Sequence, residues 1–234
     1  MLAIETSQRS GGVALRDRAG TVYEELIESG RGHADQLLPT IDRVVSNAGL
    51  TPRDLEWIAV SIGPGGFTGL RVATATVKMI AEVTAARVIG VPSALVAAYG
   101  TDLTGRILVA IASKGETFWA TAMERASKSD AWQITPAEVL GWRENPQLLP
   151  ASDFDPAPYN GVLADAYLPA EARRRCEAAS CSLIEPRFTA GQCLRASDFL
   201  LSQFDESPLS LLPIYPRPPE AVTLWQQHQK SRRS

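Results

Sequence analysis

The chain has 234 residues, 45% hydrophobic, 7% aromatic and 21% charged, with a formal net charge of −3. That length allows one or two domains with an ordinary buried core, and the composition is not that of a disordered or low-complexity chain. The near balance of 23 basic and 26 acidic residues excludes the global cationic field by which an autonomous nucleic-acid binder holds a phosphate backbone.

Apolar runs such as residues 107–112 fall far short of the roughly eighteen residues needed to span a bilayer. Glu5 and Arg9 interrupt the N-terminus before a signal-like stretch develops. No membrane partner is expected, and a cytoplasmic location is. Lys230, Arg232 and Arg233 read as a solvated tail, and Glu171 and Glu177 dilute the cluster of Arg173, Arg174 and Arg175. Cys176, Cys181 and Cys193 match no zinc-ligand spacing and read as reduced thiols. The only histidines, His33 and His228, have no second His three or four residues away, which disfavours a histidine-ligated metal. Twelve of the 17 glycines lie in residues 1–100, and twelve of the 16 prolines lie from Pro136 onward. This split predicts a boundary near residues 100–105.

Leu2, Ala3 and Ile4 open the chain as a short strand ending in the polar turn Glu5, Thr6, Ser7. Residues 12–15 and 21–27 read as two strands of a hairpin turning at 17–20. Residues 33–48 read as a helix: Leu37, Leu38, Ile41, Val44, Val45 and Ala48 recur at helical spacing, Gly49 stands at the left-handed cap, and Pro39 predicts a helix start close by. Residues 57–62 form a buried strand running into Gly63-Pro64-Gly65-Gly66-Phe67-Thr68-Gly69-Leu70-Arg71. A glycine-rich loop between strand and helix can present free N–H groups to an anion, or it can be a tight turn without a ligand. It lacks the Lys-Ser/Thr ending of a Walker loop and the GxGxxG spacing. The next helix carries the small residues Ala73, Thr74, Ala75 and Thr76, which permit close helix approach. A strand over 88–91 and a helix over 93–99 complete the first half. In the second half, strands over 106–112 and 117–123 flank a hairpin at 113–116. Helices are expected over 136–140, 168–179 and 196–203, with extended connections at 153–159 and 213–219.

Three blocks resemble one family: Ile4-Glu5-Thr6-Ser7 with Gly12-Val13-Ala14-Leu15, His33-Ala34-Asp35-Gln36-Leu37-Leu38-Pro39 with Ala48-Gly49-Leu50, and the glycine segment 63–71. The family is bacterial TsaB (YeaZ), which serves the synthesis of threonylcarbamoyladenosine in tRNA. The likeness is thinner beyond residue 100, where Lys114-Gly115-Glu116, Trp119-Ala120, Pro213-Ile214-Tyr215, Arg217, Ala221 and Trp225 carry it. It implies an α/β protein of the actin/hsp70/sugar-kinase fold (ASKHA), two lobes each with a mixed sheet flanked by helices: a partner-binding first lobe over 1–104, a smaller, degenerate second lobe over 105–217, and a terminal helix or tail over 218–234. It also implies a non-catalytic subunit that supports threonylcarbamoyl transfer to adenosine in tRNAs reading ANN codons by pairing with a TsaD-like transferase. A TsaE-like ATPase is a further partner, tRNA is met through the complex, and a homodimer is an alternative. ATP or ADP and the metal are expected on the partner subunit, with no cofactor on this chain alone. The partner surface is expected from His33, Leu37, Leu38, Ile41, Gly63, Pro64, Gly65, Gly66, Phe67, Thr68, Gly69, Leu70, Arg71, Ala73 and Thr74. Glu5, Thr6 and Ser7 would be a vestigial nucleotide loop.

The residues themselves agree with that role. A kinase of this fold needs a second glycine-containing phosphate loop, and beyond residue 104 only the isolated Gly105, Gly115, Gly141, Gly161 and Gly191 occur. His33, at a helix start, reads as a cap or surface residue, and no nucleophile triad can be assembled. The chain departs from the family pattern at Glu5 for Asp, Gly66 for Ser, and Ile111-Ala112-Ser113 for Asp-Ala-Arg. The competing reading is a small ATPase or kinase acting alone through Glu5, Ser7 and the 63–71 loop.

Overall fold

The computed structural model describes residues 1–27, 33–129, 132, 148–201 and 207–214, with the side chains of residues 33 and 34 left out. The described chain forms two five-stranded mixed sheets. The first contains β1 (Leu2–Glu5), β2 (Gly11–Arg16), β3 (Val22–Ile27), β4 (Trp57–Gly63) and β5 (Arg87–Pro92) in the order β3-β2-β1-β4-β5. The second contains β6 (Gly105–Ala112), β7 (Thr117–Arg125), β8 (Leu148–Pro150), β9 (Gly161–Ala164) and β10 (Leu183–Ile184) in the order β10-β9-β6-β7-β8. In each sheet the first three strands pair antiparallel and the last two join parallel. The second sheet therefore repeats the plan of the first, β6 standing for β1 and β9 for β4.

Antiparallel neighbours need only tight turns, whereas parallel pairing requires crossover segments. In the first half these are α1 (His33–Asn47) and α2 (Phe67–Thr84), followed by α3 (Ser93–Ala98). The second half supplies α4 (Ala170–Ala178) and α5 (Ala190–Leu201). Strand alternation sorts the side chains into layers. Leu2, Ile4, Val13 and Leu15 face α1 and α2, and pack with Leu37, Ile41, Val44, Val45 and Val77. Ala3, Ala14 and Ala59 face the other way, and their small size admits α5 close to the sheet. The core around α3 and α5 also takes Ile107, Val109, Trp119 and Leu163 from the second sheet, so the two halves share one buried layer. On the outer side of that sheet Phe118 meets Phe154 edge-to-face at 5.3 Å, in a cluster with Val162, Ala172 and Cys176.

Three expectations change. Helix α1 begins at His33, so Pro39 is its seventh residue. Pro39 and Asp35, whose carbonyl its missing N–H leaves unpaired, both lie on the exposed side, where water can take over that bond. Helix α5 begins at Ala190, six residues before the expected start. Its start is a capping box: the Thr189 hydroxyl accepts from Gln192 N–H at 3.2 Å, and Gln192 Oε1 accepts from Thr189 N–H at 3.0 Å. That Thr-x-x-Gln signal is legible in the sequence. Strands β8, β9 and β10, of three, four and two residues, were not expected; β8 forms on the edge of β7, β9 on the edge of β6, and β10 in turn on β9. The helix expected over 136–140 and the tail over 218–234 lie outside the described residues.

Candidate functional site

The glycine segment joins β4 to α2. Gly63 stands at φ +102 before a cis peptide bond to Pro64, and α2 starts at Phe67. Phe67, Thr68, Gly69, Leu70 and Arg71 are thus the first helical turn rather than loop. The first loop of the chain lies against this junction. Gly66 N–H donates to Ser7 O at 2.7 Å, and the Thr6 hydroxyl donates to Gly69 O at 3.0 Å. A Cβ on Gly65 would drive into the Ser7 backbone, and one on Gly69 into the Thr6 carbonyl oxygen. These two glycines permit the chain's own backbone to approach, as in a tight turn. Gly66 differs: a Cβ there meets only Ser7 O at 3.6 Å, an ordinary contact, so a serine has room.

Beneath the loop Glu5 is fully buried. Its Oε1 accepts from Ser7 N–H at 2.6 Å, while Oε2 has no hydrogen-bond partner. Burial pushes the Glu5 carboxyl above its ordinary range, against hydrogen bonds from Ser7 and Ser61 that pull it down. The Ser61 and Ser93 hydroxyls bond each other at 2.9 Å, and Cys193 lies under the same strand, its Sγ 3.9 Å from Ile4 O. Burial, then the neighbouring Glu5, hold the Cys193 thiol well above its usual value. Burial thus favours the uncharged form of both groups.

The other elements around the first loop are also engaged within the chain. Gly191 N–H, at the start of α5, donates to Glu24 Oε1 at 2.8 Å, so a carboxylate from β3 occupies that helix N-terminus. Arg9 lies over the Tyr167 ring at 4.6 Å, linking the first loop to the turn after β9. Away from this region, a cavity of about 890 Å³ lies between α3, the end of β7 and α5. Two of its cations have internal partners: Arg125 donates to Thr101 O and Leu103 O, and Arg195 to Tyr99 O.

The residues expected to form a partner surface divide by burial. Leu37, Leu70 and Ala73 are 0% exposed, and Ile41, Gly63, Pro64, Gly69 and Thr74 are buried with them. These expected partner-surface residues are packed within the chain, so their side chains are not on its exposed surface. Leu38 and Phe67 are each 48% exposed, Gly66, Thr68 and Arg71 are exposed, and Gly65 is half-buried. Arg71 packs its guanidinium over the Phe67 ring at 5.0 Å. His33 has its side chain outside the described residues. The sequence reading missed Met79 and Val83, 60% and 79% exposed on α2. The signal was available: Leu70, Ala73, Val77 and Ala81 already supply a core stripe, so Met79 and Val83 fall on the outer side, while Phe67, three residues before Leu70, is exposed as the first residue of the helix.

Residues 22–140 match the family model described as TsaD: tRNA N6-adenosine threonylcarbamoyltransferase. An uncharacterized protein of Mycobacterium tuberculosis is 29% identical over 226 residues, covering 96% of this chain and 94% of that one. The tRNA threonylcarbamoyladenosine biosynthesis protein TsaB of Escherichia coli is 32% identical over 124 residues, 51% of this chain and 53% of that one. Among solved structures, YeaZ from Pseudomonas aeruginosa superposes with a TM-score of 0.73 at 20% identity, covering 92% of this chain and 98% of that one. The two mixed sheets with their flanking helices are accordingly the ASKHA fold. Family model, relatives and fold agree, and the chain belongs to the TsaB (YeaZ) family.

Proposed function

We propose that this chain serves the biosynthesis of threonylcarbamoyladenosine in tRNA as a non-catalytic subunit, pairing with a TsaD-like transferase and supporting its active site. One observation carries the reading. The backbone of Thr6 and Ser7 fills the glycine junction at the start of α2, while the same helix exposes Phe67 at its start and Met79 and Val83 on its outer side. The Gly66 N–H, one of the groups that could face a phosphate, is taken up by Ser7 O, and apolar side chains that a monomer would bury stand in water, as at protein interfaces. Leu38 on α1, which packs beside α2, is exposed as well.

On this reading ATP or ADP and the metal belong to the partner subunit. A TsaE-like ATPase and the tRNA join through the complex, in the cytoplasm. The net charge of −3 supports a division of labour in which another subunit makes most of the phosphate contacts. The opposing reading, an ATPase or kinase acting alone, requires an anion site that the Ser7 carbonyl now occupies.

The test is reconstitution of tRNA modification with each component omitted in turn, together with light scattering of the chain mixed with a TsaD-like protein. The expected results are a mixed dimer and a loss of modification when this chain is left out. Modification at full rate without it overturns the proposal, as does micromolar Mg-ATP binding with turnover by the isolated chain. Self-association of the pure chain through the same surface is read from light scattering of Val83→Glu.

A further inference from the structure

Helix α4 ends in a Schellman turn. Ser180, at φ +52, donates its N–H to Glu177 O at 3.1 Å, and Cys181 N–H donates to Cys176 O at 2.9 Å. Side chains at these two bonded positions meet in such a turn, and here both are thiols. Cys181 packs against the outer cluster of the second sheet, to which Cys176 belongs. The hydrogen bond limits the separation of the two Cα atoms to about 7 Å, the outer reach of a disulfide. Cys176 is fully buried, while Cys181 is partly exposed, its Sγ 3.6 Å from Tyr159 O. Cys193 is buried at a different place, between the sheets.

We propose that Cys176 and Cys181 form a redox modification site, a dithiol that a hydroperoxide converts to a disulfide across the end of α4. In the first step the Cys181 sulfur, having released its proton, attacks one peroxide oxygen. The O–O bond breaks, and a sulfenic acid and hydroxide result, the hydroxide taking up the released proton as water. In the second step the Cys176 sulfur gives up its proton and attacks the sulfenic sulfur. The S–S bond forms and the sulfenic oxygen leaves as water. With hydrogen peroxide, two thiols lose two electrons and two protons and two waters form.

The environment sets the speed. Burial pushes the Cys176 thiol up to about 11 and raises that of Cys181 as well, so both are protonated at neutral pH. The site is therefore slow compared with an activated cysteine and answers sustained oxidation.

The test uses the full chain, folded, alone and mixed with its partner. It is treated with hydrogen peroxide, alkylated and digested with trypsin, which places both cysteines on one peptide, residues 176–187, between Arg175 and Arg187. The expected product is that peptide unalkylated and two hydrogens lighter, restored to two alkylation sites by dithiothreitol, with formation accelerating about tenfold per pH unit below the thiol range. Cys181→Ser abolishes the product. Cys176→Ser leaves a sulfenic acid at Cys181 that dimedone traps, with circular dichroism checking that the variant is folded. A peptide that stays fully alkylatable, or that carries only added oxygens or an intermolecular bridge at Cys181, overturns the proposal.

Discussion

Gly66 N–H and Ser7 O meet at 2.7 Å, and this bond fastens the first loop of the chain to the start of α2. A helix N-terminus has unpaired N–H groups that elsewhere in biology bind phosphates. Here the chain supplies its own acceptor, and the glycine segment becomes a joint between lobe elements.

The joint predicts opposite effects for neighbouring glycines. Gly65→Ala places a methyl against the Ser7 backbone, which has no flexible end to yield, and should cost about 3 kcal/mol. Gly66→Ser fits, and its hydroxyl can cap α2, whose N-cap position has no side-chain bond, for a gain of a few tenths of a kcal/mol. Urea denaturation midpoints of the two variants should move in opposite directions.

Glu5 should make stability depend on pH. Its carboxyl is raised in the folded state, so its contribution is fully present below the ordinary value of 4.5 and is lost as pH rises through the folded value. Glu5→Gln keeps an acceptor for Ser7 N–H without a charge to bury. Denaturation at pH 5 and pH 8 should show the variant's advantage over wild type to be larger at pH 8. An advantage that stays constant or shrinks would contradict the buried, proton-holding carboxyl.

Adjacent leucines on α1 should separate folding from pairing. Leu37→Ala removes a fully buried side chain and should cost about 2–5 kcal/mol. Leu38→Glu, on the exposed side, should leave the melting temperature nearly unchanged while weakening association with a TsaD-like partner. Leu37→Glu and Ala73→Arg would place charges in the core and unfold the lobe, so they cannot report on pairing. Calorimetry and light scattering on the same samples distinguish the two effects.

Ala85 caps α2 in the left-handed conformation, φ +59, and is exposed. A non-glycine residue there is strained by about 1 kcal/mol, so Ala85→Gly should raise the melting temperature by about 2–4 °C. An unchanged or lower temperature would count against the cap geometry.

Much of the first half was legible because its signals are local. The short apolar run of β1, the hairpin of β2 and β3, the apolar stripe of α1 and the strand entering Gly63 each depend on residues a few positions apart. The specific string of residues 63–71 also identified the family. The second half was harder. Strands of two to four residues carry too few positions to show a period, and they form because longer neighbours present free edges. The repeated plan of the two sheets was hidden for a related reason: topology and burial recur from β1 to β6, while residue identities do not.

By itself the sequence determined the elements of the first lobe, the glycine-rich junction and the family, since chemistry along the backbone carries all three. Tertiary structure alone decided that Ser7, 59 positions before Gly66, fills that junction, that Glu5 is buried, and that Leu37 and Ala73 face inward while Met79 and Val83 face out. Periodicity counts the sides of a helix. Only the packing of sheet and first loop against it determines which side remains for a partner.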